Sequence, residues 1–238
     1  MKQDRDHRRD GPAATASAIK DLILARGLHP GDPMPTEAEL VEELGVSRSS
    51  IREAVRTLIA LDILEVRHGT GTFVGQLSLR PLVEGMVFRG VLLPGDENAM
   101  LREIVEVRTG LDLSLAPLMV ERLAGDTDTA DLRACVEEMK AKAARNEPFP
   151  EEDRQFHLLV AQKWGNGLYG QLVAAFWDIH MTVGPSLGAA PQRELAVTAL
   201  AHERMLDAAV AGDLVAYREA VQAHYEPIHR MLTAWASA

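Results

Sequence analysis

The sequence predicts a mostly α-helical chain in two parts: a small N-terminal domain of three helices plus a β-hairpin, followed by an all-α helical bundle. Apolar residues recur at helical spacing over most of residues 13–61 and 79–236. Residues 63–74 instead have the composition of two short strands joined by a glycine-rich turn. Glycine and proline pairs divide the helical stretches into segments of ordinary helix length.

Composition bounds the kind of protein. With 238 residues and 47% hydrophobic content, the chain can bury two modest cores. The single cysteine, Cys135, excludes an internal disulfide framework and indicates a reducing compartment. The apolar runs fall short of the about 20 residues of a membrane helix, and the charged residues 1–10 lack the apolar stretch of a secretory signal. We therefore expect a cytoplasmic protein with no membrane partner.

Charge is distributed unevenly along the chain. The formal net charge is −10, of which residues 1–80 carry −1 and residues 81–238 carry −9. A polyanionic partner is therefore compatible with the first part, where arginines are concentrated at a few places.

The first domain is predicted over residues 13–76, after a polar arm, residues 1–12, that is expected to be disordered. An amphipathic helix opens the domain. Thr36 and Glu39 then have the spacing of a capping box, which predicts the start of a second helix, and Gly45 ends that helix.

A second N-cap, Ser47, begins a third helix, which is predicted to run to about Leu61. Two short helices around a tight glycine-containing turn form a helix-turn-helix, here at about residues 36–55. The third helix carries a stripe of arginines four residues apart and a cluster of hydroxyls at its N-terminus: Arg48, Arg52 and Arg56, and Ser47, Ser49 and Ser50. Arginine can bond guanine edges and hydroxyls can bond phosphates, so this helix has the chemistry of a recognition helix for double-stranded DNA. A basic stripe is also typical of a solvated helix face.

A β-hairpin is predicted directly after the third helix. Two short runs of strand character flank the turn His68-Gly69-Thr70-Gly71. A hairpin in this place is a wing, and His68, Thr70 and Thr72 are candidates for contacts to the DNA backbone or minor groove. The first domain is thus predicted to be a winged helix-turn-helix.

Several motifs of this region belong together: Pro30-Gly31-Asp32, Pro35-Thr36-Glu37, the run from Val46 to Ala54, and Gly69-Thr70-Gly71-Thr72-Phe73-Val74. With them, residues 27–74 resemble the DNA-binding domain of the GntR family of bacterial regulators. The resemblance implies DNA contacts from Ser47, Arg48, Ser49, Ser50 and Arg52, with His68 and Gly69 in the wing. Ala38 stands where some relatives carry an arginine. The loss of that arginine affects which operator sequence is recognised, but it does not affect DNA binding itself.

After a short linker near residues 75–79 the pattern is helical almost to the end, so residues 80–238 are predicted to form an all-α bundle. The predicted helices are at residues 79–92, 97–123, 127–145, 151–163, 167–183, 191–211 and 213–236.

Histidines carry the chemistry of this second domain. Asp153 and His157 are four residues apart and share a helix face, while His202 and His224 lie in two later helices among apolar residues. If these helices face each other, three imidazoles and one carboxylate converge, a set that suits zinc, nickel or manganese. The alternative is that each is an ordinary core or surface histidine.

A second resemblance favours the metal. The motifs that carry it are Glu106-Val107-Arg108, the run from Asp153 to His157, Gly165-Asn166, Gly212-Asp213, and the histidines His202 and His224. With these motifs, residues 80–238 are similar to the FCD domain, the ligand-binding domain of FadR-type GntR regulators. The resemblance implies a divalent transition metal, zinc first, held by Asp153, His157, His202 and His224.

Two further residues are candidates for effector binding. Arg108 lies in a family-like motif, and its guanidinium suits a carboxylate, although a salt bridge to a neighbouring acid is an alternative. Asn166 can contact the ligand or cap a helix. Asp112 departs from the family motif, which has glutamate there.

These expectations describe a homodimer that binds a palindromic operator and is gated by a small carboxylate, a sugar acid or another organic acid, as a repressor or an activator. Two rival functions remain open. One is an enzyme that uses the metal to activate water, which has no general base or nucleophile motif to support it. The other is a DNA-binding module whose helical domain only dimerises.

Overall fold

The computed structural model describes residues 11–92, 99–183 and 191–236. The chain divides into two compact units, Met1–Pro81 and Leu82–Ala238, and each has its own hydrophobic core. Within the described residues, the fold is mostly helical, with a single two-stranded sheet. This confirms the predicted fold class.

The first unit consists of three helices and one hairpin. Their bounds are α1 Pro12–Ala25, α2 Glu37–Leu44, α3 Arg48–Ala60, β1 Leu64–Arg67 and β2 Gly71–Val74. The strands pair antiparallel, with Leu64 opposite Val74. Ile19, Leu40 and Ile51 bring one buried side chain from each helix to the core, where Leu64 of the hairpin joins them. The hairpin and the three helices therefore share one core.

Local hydrogen bonds explain where the helices of the helix-turn-helix begin. The Thr36 hydroxyl accepts a bond from the Glu39 N–H, and the Glu39 carboxylate accepts one from the Thr36 N–H, so the predicted capping box is confirmed. Gly45 ends α2 in the left-handed conformation at φ 65°. The helix α1 begins at Pro12, and the rest of the predicted disordered arm, residues 1–10, lies outside the described residues.

The predicted linker is partly bound to the first unit. The Leu77 N–H donates to the carbonyl of Asp62 at 3.0 Å, and the Ser78 N–H donates to the Asp62 carboxylate at 2.8 Å. Gly75 passes so close that a Cβ there would overlap the Asp62 carbonyl. The segment from Gly75 to Ser78 is therefore held in place by the turn after α3, which the sequence did not indicate.

Seven helices follow, with bounds close to the predicted ones: α4 Arg80–Leu92, α5 Ala99–Leu123, α6 Ala130–Ala144, α7 Pro150–Trp164, α8 Gly167–Val183, α9 Gln192–Ala211 and α10 Leu214–Ala236. The helix α6 begins three residues later than predicted, because Asp126 accepts a bond from the Asp128 N–H and holds a turn before it. None of the described helices is long and apolar enough to cross a membrane.

Five helices of the second unit pack together around one interior region. The helix α5 contacts α7, α8, α9 and α10, and α9 packs along α10. Phe156 of α7 and Leu206 of α9 are almost fully buried in this core. Polar side chains that these helices turn inward are consequently held close together.

Candidate functional site

The N-terminus of α3 carries a cluster of hydroxyls. Ser47 caps the helix, since its Oγ accepts a bond from the Ser50 N–H at 3.1 Å. The same oxygen lies 2.9 Å from the hydroxyl of Ser49 and 3.0 Å from that of Ser50. Hydroxyls at a helix N-terminus, where backbone N–H groups are also unpaired, suit the binding of phosphate.

Two arginines of α3 are exposed and have no acidic partner. Arg48 and Arg52 point away from the core, and no carboxylate within the described part of the chain lies within ion-pairing distance of either. Arg56, the third member of the stripe, differs, because its Nη1 lies 2.7 Å from the carboxylate of Glu53. The stripe therefore contains two uncommitted guanidinium groups and one that is paired.

The hairpin turn lies next to this helix. Arg52 lines a groove of about 460 Å³ together with His68 and Gly69, both of which are exposed. Gly69 has φ 74°, a conformation that favours glycine in a tight turn. The structure thus brings one candidate residue of the helix, Arg52, to the same groove as His68 and Gly69 of the wing, and Ala38 of α2 is also exposed.

The four candidate metal ligands lie together in the second unit. Asp153 and His157 come from α7, His202 from α9 and His224 from α10, and one ligand atom from each lies within 4.8 Å of all the others. The three histidines are buried. Phe156 contacts two of their rings edge-on and closes one side of the cluster.

A hydrogen bond shows which ring nitrogen of His202 carries a proton. Its Nδ1–H donates to the carbonyl of Thr198 at 2.8 Å, so Nε2 is the nitrogen left for a lone pair or a second proton. That Nε2 lies 3.2 Å from Oδ1 of Asp153. A lone pair and a carboxylate oxygen repel each other at this distance unless a cation or a proton joins them.

The other two histidines each have a buried nitrogen atom without a hydrogen bond to the described residues, namely His157 Nε2 and His224 Nδ1. His157 Nε2 nevertheless lies 3.3 Å from the same Oδ1 of Asp153 that faces His202. The pKa of His224 lies well below its usual value, mainly because the ring is buried and secondly because His202 is close to it. Burial opposes the ionisation of Asp153, but the adjacent imidazoles, His202 foremost, hold the pKa of that carboxyl well below its usual range. A neutral imidazole and an ionised carboxylate are the forms that bind a metal, so the donor set fits a divalent transition ion.

A cavity of about 230 Å³ borders this cluster. Asp153 and His224 of the candidate metal ligands line it, and Arg108 of α5 lines it as well. The guanidinium of Arg108 lies 5.4 Å from the ring centre of Trp177 and 5.6 Å from that of Tyr225. These aromatic faces attract the cation and hold it beside the cluster.

Arg108 has no ion pair within the described residues, although its side chain is only 7% exposed. The alternative of a salt bridge is therefore not seen there. Burial opposes its charge, but Tyr225 and Asp112 raise the pKa of Arg108 above its usual value. A buried, charged guanidinium without an anion beside a cavity is suited to a carboxylate ligand.

Asp112 binds two tyrosines instead of the arginine. The hydroxyl of Tyr169 donates to Oδ1 at 2.8 Å, and that of Tyr225 donates to Oδ2 at 2.6 Å. Burial raises the pKa of both hydroxyls, so they remain protonated donors. Because Tyr225 follows His224 in α10, this arrangement fixes the helix that carries the candidate metal ligand His224.

Asn166 caps a helix. Its Oδ1 accepts a bond from the Tyr169 N–H at 3.1 Å at the start of α8, and Asn166 is not among the residues that line the cavity. The sequence had left open both a cap and an effector contact.

Sequence reasoning missed several polar or aromatic side chains that line the cavity, and three of them are Trp177 and His180 of α8 and Glu194 of α9. The carboxylate of Glu194 is paired with Arg230 at 2.6 Å. None of the three forms a motif with its sequence neighbours, and only the packing of α5, α8 and α9 shows that they face one space.

Comparisons with known proteins agree with both units. Residues 13–74 match the family model "Bacterial regulatory proteins, gntR family", and residues 103–227 match the FCD domain model. The galactonate operon transcriptional repressor of Escherichia coli K12 is 30% identical over 179 residues, which are 75% of this chain and 78% of that protein.

The Glc operon transcriptional activator of the same organism is 29% identical over 167 residues, 66% of this chain and 62% of that protein. Among solved structures, a GntR protein of Streptococcus agalactiae has 26% identity and a TM-score of 0.64, covering 92% of this chain and 99% of that one. The family and these relatives are transcription regulators and not enzymes. The chain therefore belongs to the gntR family of bacterial regulatory proteins and carries an FCD domain after its DNA-binding domain.

Proposed function

We propose that this regulator binds a palindromic operator as a homodimer and that a small carboxylate, bound at a metal centre in the FCD domain, controls its affinity for DNA. One observation carries the proposal. A buried Arg108, which has no anionic partner in the part of the chain that the structure describes, borders the same cavity as a cluster of one carboxylate and three imidazoles. A carboxylate ligand satisfies the guanidinium and also reaches the cluster.

Zinc is the first choice for the metal, and nickel and manganese also suit nitrogen and oxygen ligands. Asp153, His157, His202 and His224 would hold it, and the bound ion would supply a Lewis-acid position for a carboxylate oxygen. His202 is oriented for this role by its bond to the Thr198 carbonyl.

The carboxylate class follows from Arg108. A guanidinium presents two parallel N–H groups that match a carboxylate, and aromatic faces on two sides fix its position. Sugar acids and other small organic acids meet this requirement. The similar repressor of the galactonate operon is named for a sugar acid, which supports the same class for this chain.

DNA binding is proposed to use the serine cluster and the free arginines of α3, with His68 and Gly69 of the wing. Two copies of α3 about one DNA turn apart would meet the two half-sites of a palindrome. An effector changes operator affinity only as far as it binds the two dimer geometries differently, and the coupling is reciprocal.

Thermal unfolding of the full chain tests the sensor part of this proposal. Metal-stripped protein is compared with zinc-loaded protein, and the zinc-loaded protein is then titrated with acetate, L-lactate and D-gluconate. A ligand present at 100 times its Kd stabilises by about 2.7 kcal/mol, which gives a measurable rise in Tm. Arg108→Gln should lose the acid-dependent rise and keep the zinc-dependent one.

Operator binding measured with and without the active acid completes the test. A shift of operator affinity in the wild type, absent in Arg108→Gln, is the expected result. If neither zinc nor any of the acids changes Tm, the second unit serves for dimerisation alone and the sensor proposal is wrong.

A further inference from the structure

His180 lies on α8, one turn after Trp177, and both side chains line the cavity that Arg108 borders. The two rings are stacked nearly parallel, with an interplanar angle of 9° and 5.8 Å between their centres. This contact holds the imidazole in one orientation on the cavity wall. His180 is not a member of the metal cluster.

One nitrogen of the His180 imidazole has no polar partner among the described residues. Its Nδ1 is buried and forms no hydrogen bond with any residue that the structure describes. Leaving a buried polar atom unpaired costs about 1–3 kcal/mol, so such atoms in a cavity wall are commonly satisfied by what the cavity binds.

The protonation state of His180 limits which chemical groups can form a hydrogen bond with its ring. Burial and the nearby charge of Arg108 lower the pKa of His180 to about 4, although Asp153 opposes the shift. The ring is therefore neutral at physiological pH, with one nitrogen that donates and one that accepts. A hydroxyl group, which also donates and accepts, is the matching partner, whereas a carboxylate can only accept and is already served by Arg108.

We propose that His180 is a specificity-determining residue that hydrogen-bonds a hydroxyl group of the effector, so that the site selects hydroxy acids over acids of the same length without the hydroxyl. The inference rests on the proposed function, since it assumes that a carboxylate occupies this cavity. Stacked beside His180, the face of Trp177 is suited to the C–H groups of the same ligand.

The experiment is calorimetric titration of the zinc-loaded full chain with matched pairs of acids: glycolate and acetate, L-lactate and propionate, D-gluconate and hexanoate. The wild type should bind the hydroxy member of at least one pair about tenfold more tightly. His180→Phe keeps a flat ring but has no nitrogen, so it should lose this preference and still bind the deoxy member. His180→Asn, which keeps a donor and an acceptor, should retain part of it.

His229→Phe is the matched control, because His229 belongs to the same unit but does not line the cavity. It should keep the wild-type preference. Equal affinity of the wild type for both members of every pair overturns the inference and leaves the carboxylate site standing, and so does a His180→Phe variant that keeps the preference. If the wild type binds none of these acids, the proposed function itself is wrong. A wild type without the preference overturns the inference even where His180→Phe does not fold. Where the wild type has the preference and His180→Phe does not fold, His180→Asn is compared with the His229→Phe control, and a full wild-type preference in His180→Asn overturns the inference.

Discussion

Replacing Arg48 or Arg52 with alanine should weaken operator binding and leave the fold unchanged. Both side chains are exposed on α3 and neither has an ion pair within the described residues, so little native structure is lost. Alanine is also a slightly better helix former than arginine. The free energy of unfolding should therefore change by no more than about 0.5 kcal/mol, as is usual for exposed positions.

The magnitude for DNA follows from the number of bonds that one guanidinium can make. A bidentate contact to guanine contributes about 1–3 kcal/mol, which corresponds to about 5- to 150-fold in affinity. A homodimer on a palindrome loses the contact in both half-sites, so the total is about 2–6 kcal/mol. If the lost contact is to a phosphate, the loss is the same for all sequences, and the slope of log K against log salt becomes shallower by about 0.9 for each contact.

The chain offers a matched control in Arg56→Ala. Arg56 lies on the same helix and is also exposed, but its guanidinium is bound to Glu53 at 2.7 Å. Its replacement should cost less affinity than that of Arg48 or Arg52. Arg56→Ala thus separates a specific contact from a general loss of positive charge.

Fluorescence anisotropy gives the affinities. The duplex is one that the wild-type chain selects from a random-sequence library, it is compared with a scrambled duplex, and each titration is repeated at several salt concentrations. Wild-type affinity in both Arg48→Ala and Arg52→Ala would refute the role assigned to α3. An equal loss in all three variants would show that the ion pair does not set Arg56 apart.

Three other predictions concern the metal and the stability of each unit. His202→Ala removes one of the proposed metal ligands, so elemental analysis after dialysis should find less zinc than in the wild type, and equal zinc content would exclude this residue from the site. Gly75→Ala forces a methyl group against a backbone carbonyl and should lower stability by about 1–3 kcal/mol, whereas Gly85→Ala, at an exposed helix position with open space, should not lower Tm. Tyr225→Phe leaves one oxygen of the partly buried Asp112 without its donor and should cost about 1–3 kcal/mol in urea unfolding, and an unchanged midpoint would contradict the importance of that bond.

Much of the first unit was predictable because its signals are local. A capping box needs residues three apart, and Thr36 and Glu39 supply it whatever the rest of the chain does. The same holds for Ser47 as the cap of α3 and for the turn that joins the strands at Gly69. What the local pattern did not show is that Gly75 is held against Asp62, since this contact depends on backbone positions after packing.

In the second unit, less of the site could be predicted from the sequence. Helical periodicity gave the approximate bounds of its helices, and the four ligand candidates were chosen by residue type together with a family resemblance. Sequence spacing alone cannot bring His202 to Asp153, which are 49 residues apart in the chain and 3.2 Å apart in space. The bond between Asp112 and Tyr225, 113 residues apart, was likewise invisible.

The sequence by itself determined the class of this protein, because helix caps, turns and the spacing of arginines involve only a few neighbouring residues and can be recognised in the sequence. Tertiary structure alone decided which polar groups are buried together, which of them lack a partner, and that Arg108 and His180 line one cavity. The physical reason is that desolvation and the pairing of charges depend on distances between helices, and these distances exist only after the helices have packed.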